Sequence, residues 1–252
     1  VTVQQTEPGP PDIAEAPNNS IDAQRISLWI TPVVGVVFLI AFLAFPGFRP
    51  PMSPNMSADQ VAAFFREHTT MIRFSMITYD LFGVLLVPFF ALIVVQMKRM
   101  ATSSHVFAYA YLSAVATGAT LFAIADLCWL VAAFRPDRSP DLVQLLNDLA
   151  WIIFTAPVGM FVAGNLVLAL AIYLDARPVP VFPRSIGHFN IVIAAAVAPA
   201  ACAAVVRTGP LAWNGAVSFW LKIGAFGVFL VVMFVALRTA INRQASEEPV
   251  AP

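Results

Sequence analysis

The 252-residue chain is 60% hydrophobic and only 11% charged, with 14 Lys and Arg against 14 Asp and Glu, and its mean hydropathy is +0.81. Soluble domains carry about 25% charged residues, so this composition describes a membrane protein. Zero net charge without a basic run leaves no electrostatic footprint for nucleic acid, and no G-x-x-x-x-G-K-[ST] or strand-borne G-x-G-x-x-G offers a nucleotide site.

Residues 1–25 are rich in Pro, Asn, Asp and Glu and read as a disordered tail, not as a secretory signal, which needs a basic start and a short apolar stretch. Six apolar runs follow, at 26–46, 71–97, 105–134, 148–174, 186–206 and 215–238. Each is close to the ~20 residues a helix needs to cross a ~30 Å hydrocarbon layer. A β-barrel would instead show ~10-residue alternating segments, and none is present. The expected fold is all-α: a polytopic transmembrane bundle of six helices over 26–240, with short amphipathic helices in the outer loops and a second disordered tail over 241–252. Pro88, Pro157 and Pro199 fall inside runs, where they bend a membrane helix without necessarily breaking it.

Two outer loops echo each other, FRPPMSP at 48–54 and FRPDRSP at 134–140, with a weaker trace in VRTGP at 206–210. Each of the first two precedes an amphipathic start. Ser57 is placed to cap ADQVAAFFREH, and Ser139 to cap a helix with Pro140 in its first position. Duplicated helix–loop–helix hairpins and chance likeness of two Pro-rich loops both account for the echo.

Orientation rests on basic residues in short connections. One face has Arg25, Lys98, Arg99, Arg177, Arg184, Arg238 and Arg243; the other has Arg49, Arg66, Arg73, Arg135, Arg138 and Arg207. The margin is one charge. Lys98–Arg99 has no acidic neighbour, which places both termini in the cytoplasm.

Within the last run stands Lys222. Measured from the outer ends of their runs, Lys222 is about 7 residues in, Asp126 about 8 and Asp80 about 9, so all three lie ~10–14 Å deep. An ionised side chain at mid-membrane costs ~2.5–3.5 kcal/mol or more and usually finds a partner inside the bundle. Lys222 paired with Asp126 or Asp80 is the economical arrangement. Near the same mouth stand Arg73, Asn147, Asp148, Trp129, Trp151 and Trp220, with Trp213 and Asn214 beside them. Together these describe an outward-facing polar cavity. Taken singly, the tryptophans fit an interfacial belt and Arg73 with Asp148 a rim ion pair.

Ala110, Ala114 and Gly118 in the third run and Ala196, Ala200 and Ala204 in the fifth are small-residue stripes that let helices approach closely, which puts those two runs near the centre or makes one stripe a homodimer contact. His68, His105 and His188 are too scattered for a metal or haem site, and no cofactor is expected. Cys128 and Cys202 lie in apolar surroundings, where free cysteine is a small hydrophobe; a disulfide between them stays open.

Three stretches carry a resemblance: LNDLAW at 146–151, PVFPRSIGHFN at 180–190 and RTGPLAWNGAVSFW at 207–220. They resemble a group of bacterial six-span integral membrane proteins, frequent in actinobacteria, whose activity is unassigned, and the likeness extends over about 26–240. It implies a bacterial inner (cytoplasmic) membrane location and six spans, and carries over no catalytic residue. The resembled sequences more often hold an aromatic residue where His188 stands.

Three functional classes follow. The first is a non-enzymatic protein, either an accessory subunit or a binder of a lipid-like, apolar or amphipathic small molecule, working in the lipid bilayer as a homodimer or with a partner membrane subunit. The second is a membrane-embedded acid–base enzyme of cyclase or isomerase type, with Asp80 or Asp126 as proton donor to a lipid-like substrate. The third is a proton-coupled transporter, although an inverted repeat is not seen.

Overall fold

The computed structural model describes residues 19–135 and 137–247. Eight α-helices make up the described chain: α1 (Asn19–Ala44), α2 (Ala58–Gly83), α3 (Val87–Lys98), α4 (Val106–Phe134), α5 (Pro140–Thr155), α6 (Gly159–Tyr173), α7 (Arg184–Val197) and α8 (Lys222–Glu247), with no named strand among the described residues. They form six stretches long and apolar enough to cross a membrane: Ser20–Ala44, Ala58–Lys98, Val106–Phe134, Pro140–Tyr173, Arg184–Ala204 and Ala216–Glu247. The protein is thus an all-α, multi-pass membrane bundle. We call the end where α1 begins and α8 finishes the termini side, and the other the far side.

The prolines mark where the spans depart from regular helix. Pro88 opens α3 after a 3₁₀ turn at Val84–Leu86. Pro157 separates α5 from α6, and Pro199 lies in a 3₁₀ segment, Ala198–Ala204, that extends α7. In each case the ring lacks the N–H that an α-helix needs at that place. A further proline, Pro32, lies inside α1.

The amphipathic starts expected in the loops are the first turns of the spans themselves. Ser57 caps α2 in a capping box, its hydroxyl accepting from the Gln60 amide at 3.3 Å while Gln60 Oε1 accepts from the Ser57 amide at 2.8 Å. His68, at φ −109° and ψ 15°, bends α2 between its amphipathic and apolar parts. Pro140 does open α5, but Ser139 makes no side-chain cap bond.

Part of each expected tail is helical. Residues 19–25 are helical because Ile21 and Gln24 are buried, Gln24 against Gln96 at 2.8 Å. Residues 241–247 are helical because Ile241 is buried and Glu247 is held by Arg99, Arg177 and Arg243. The remaining tail residues, 1–18 and 248–252, lie outside the described residues.

Two cores stack along the bundle axis. On the termini side, aliphatic residues of α1, α3, α6, α7 and α8 surround Phe89, Phe182 and Phe229. On the far side, α1, α2, α4 and α5 enclose Phe45, Phe48, Phe65, Trp129, Trp151 and Phe219. The small-residue stripes pack only in part, with Ala114 and Ala200 buried and Ala196 against the termini-side core. Ala110 is exposed, a Cβ at Gly118 would meet nothing within 4 Å, and Ala204 is exposed. Ala114 does pack closely, against Gly164 of α6. The second, fourth and fifth spans are the more buried, the first, third and sixth the less.

The two echoed loops are not equivalent. Phe48 is completely buried at the heart of the far-side core, whereas Phe134 is 68% exposed.

Candidate functional site

The far-side loops are clasped by side chains binding backbone oxygens. Trp213 Nε1 donates to Met52 O at 2.8 Å, Arg207 to Pro54 O at 3.1 Å, Asn55 to Arg207 O at 3.3 Å and Gln144 to Met56 O at 2.9 Å. The 207–220 stretch folds back on itself: Pro210 O accepts from the amides of Val217 and Ser218, and Ser218 Oγ donates to Leu211 O at 2.8 Å. Gly215 passes so close to the Pro210 carbonyl that a Cβ there would collide with backbone. This fold launches a π-helical turn, Ala216–Leu221, from which Lys222 starts α8.

Lys222 is half-buried, and its ammonium donates to Phe154 O at 2.7 Å while standing 4.1 Å from the centroid of the Phe154 ring. The carbonyl is available because of Pro157. In an unbroken helix the Val158 amide would return to Phe154 O; here it goes to Ala156 O at 2.7 Å. A cation at a helix C-terminus also meets the negative end of the helix dipole, and freed backbone groups in a membrane must be satisfied by a neighbour.

The expected ion pair does not form. Among the described residues neither Asp80 nor Asp126 lies within salt-bridge distance of Lys222. A chain of ring contacts runs from Tyr79 through Phe122 to Phe154, the residue that holds Lys222.

Those rings fill the cavity expected between the site residues. Trp129 and Trp151 are fully buried and meet edge to face at 5.4 Å, with Phe48 against both at 5.7 Å. Trp129 Nε1 donates to Asn147 Oδ1 at 3.4 Å, which accounts for the buried Asn147. Trp220 is 44% exposed and packs on Phe219 and Phe42. Arg73 does not pair with Asp148. Its guanidinium caps the end of α4, with bonds of 2.7 and 3.2 Å to Ala133 O and 3.1 Å to Phe134 O. Asp148 is half-buried, and the charge it feels is that of Arg207.

Asp126 departs from this pattern, as Trp151 Nε1 and Thr155 Oγ1 also do, and it is the acidic residue among the buried unpartnered groups. It is 1% exposed, and neither carboxyl oxygen has a hydrogen-bond partner. The charged side chain whose field reaches it is Asp80, on α2, and Asp80 is exposed on the flank of the bundle. Its exposed neighbours Ile77, Leu81 and Val84 are apolar, so that flank faces hydrocarbon or another membrane helix.

Phe154, Phe48, Phe122 and Arg207 are the residues that sequence reasoning missed. Only Phe154 had a usable signal, since Pro157 three residues later announces unpartnered carbonyls just before it. Cys128 and Cys202 are both free. Among the described residues no group of three or more His, Cys, Asp or Glu could hold a metal ion. His188 contacts Arg184 O at 2.9 Å and stands edge-on to Tyr173, a structural placement.

No family model, curated protein or solved structure matches the chain.

Proposed function

We propose that the protein is a non-enzymatic accessory component of a membrane assembly, which it meets through the α2 flank bearing Asp80, with Asp126 behind it. The observation that carries this reading is the exposed position of Asp80 on an apolar flank, about 9 residues below the far-side end of its apolar run. A charged group facing lipid at that depth costs at least ~2.5–3.5 kcal/mol, which a partner supplying a donor would remove. The resemblance to six-span actinobacterial proteins and the Lys98–Arg99 pair, with no acidic residue beside it in sequence, support a bacterial inner-membrane location with cytoplasmic termini.

Extraction from native membranes in polymer nanodiscs, followed by mass measurement, tests the reading. The expected particle exceeds the 27.2 kDa of one chain by a stoichiometric membrane partner, a second copy included. Asp80→Leu is expected to release that partner while leaving folded yield unchanged. A wild-type particle holding one chain and lipid alone would contradict it.

Proton-coupled transport is favoured by one separate observation, the unpartnered oxygens of Asp126 beside Asp80. It predicts proton uptake by reconstituted vesicles that Asp126→Asn abolishes. The acid–base enzyme reading has no comparable support, since Asp126 is only 1% exposed.

A further inference from the structure

A second feature has its polar end on the termini side and is argued from residues other than Asp80, although its apolar end reaches the stretch of chain just after Asp80. Along α1 runs an apolar groove of about 570 Å³, lined by Ile26, Val33 and Val37 with Phe82 and Leu85 from the neighbouring span. It ends at Arg25 and Trp29, and these two residues also line a recess of about 270 Å³ completed by Arg238 and Asn242 of α8. The groove is continuous with a basic pocket. From Arg25 to Val37 the helix rises about 18 Å, slightly more than half of a ~30 Å hydrocarbon layer and so the reach of one acyl chain.

The chemistry at the termini end is selective for sign. The Arg238 guanidinium stands 5.9 Å from the Trp29 ring centroid, and Trp29 in turn packs edge-on against Phe234 at 5.4 Å. This fixes an amphipathic ring and a cation together at the depth where headgroups sit. Arg25 has Asp22 at 3.7 Å, but both side chains are about half or more exposed, and an exposed pair at that spacing yields readily to a competing anion. Two guanidiniums flank one recess, a geometry suited to phosphate oxygens.

We infer that this groove and recess form a binding site for an anionic diacyl phospholipid, its phosphate between Arg25 and Arg238 and one acyl chain along α1 to Phe82. The site selects by headgroup charge and holds by chain burial.

Native mass spectrometry of the full-length protein, delipidated in detergent and titrated with phosphatidylglycerol or phosphatidylcholine of identical chains, tests the inference. Each arginine near a headgroup contributes about fivefold, so wild type is expected to favour phosphatidylglycerol by an order of magnitude or more. R25Q/R238Q is expected to reduce that preference to near parity. Val33→Trp, at a position 64% exposed and so free of packing demands, fills the groove and is expected to weaken both lipids while both arginines remain. Inorganic phosphate alone is expected not to compete. Equal wild-type affinity for the two lipids overturns the inference without any variant, as does a preference that survives R25Q/R238Q or phosphate competition that matches the lipid. Since Asp80 is untouched, failure here is separate from failure of the assembly reading.

Discussion

The two halves of the bundle treat carboxylates differently: cations cap backbone carbonyls in both, as Arg243 does at Pro180 and Val181 on the termini side, but among the described residues only that side also joins cations to a carboxylate. On the termini side, side chains satisfy one another: Gln96 donates to Gln24 at 2.8 Å and to Gln244 at 3.2 Å, Arg99 donates to Gln96 at 2.7 Å, and Arg99 and Arg177 share Glu247 at 3.2 and 3.3 Å. On the far side, cations serve backbone carbonyls, Lys222 at Phe154, Arg73 at Ala133 and Phe134, Arg207 at Pro54. The difference follows from what each half must satisfy. Pro157 and the irregular loops release carbonyls among aromatic rings, and a cation can meet a carbonyl there without an anion having to be desolvated as well. Carboxylates are therefore left over on the far side, and Asp126 is one of them.

This contrast can be broken by substitution, beginning with the largest effect. Phe48→Ala should cost ~3–5 kcal/mol in thermal unfolding, as buried aromatic truncations do, while Phe134→Ala, at the echoed position, should stay within about 0.5 kcal/mol. Comparable losses would restore the two loops as equivalents. Lys222→Met should cost ~1–3 kcal/mol, because the Phe154 carbonyl loses its partner. Gly215→Ala should destabilise by ~1–3 kcal/mol through collision with Pro210, whereas Gly118→Ala, with open space around it, should be neutral or gain the ~0.5–1 kcal/mol that alanine brings to a helix. A neutral Gly215→Ala would mean that the 210–219 fold is looser than described. Glu247→Gln on the termini side should cost at most about 1 kcal/mol, and less at high salt, since Glu247 is 40% exposed. A salt-independent loss there would place that cluster in the same category as the far-side caps.

The sequence legibly carried what depends on length and composition. Spans needed only apolar runs, and the Ser57 cap and the departures at Pro88, Pro157 and Pro199 needed only local backbone chemistry. Depth along a span was also countable, at about 1.5 Å per residue. Direction around the helix axis was not. The π turn at Ala216–Leu221, just before Lys222, adds a residue to the helical repeat and has no signature in AVSFWL. Equal counted depth does not make contact, and the rings of Phe48 and Phe154 stand where a cavity was expected. Phe48 gave no warning because its loop reads like that of Phe134, and only tertiary packing separates a buried ring from an exposed one.

The central claim is that Lys222 serves a carbonyl and not a carboxylate, and a double-mutant cycle between Lys222→Met and Asp126→Leu tests it most directly. Stability in detergent should show a coupling energy below about 0.5 kcal/mol, with Asp126→Leu alone neutral or stabilising and no rescue of Lys222→Met. Losses of 3–5 kcal/mol for each single substitution, largely recovered in the double, would mean that the two charges are paired after all.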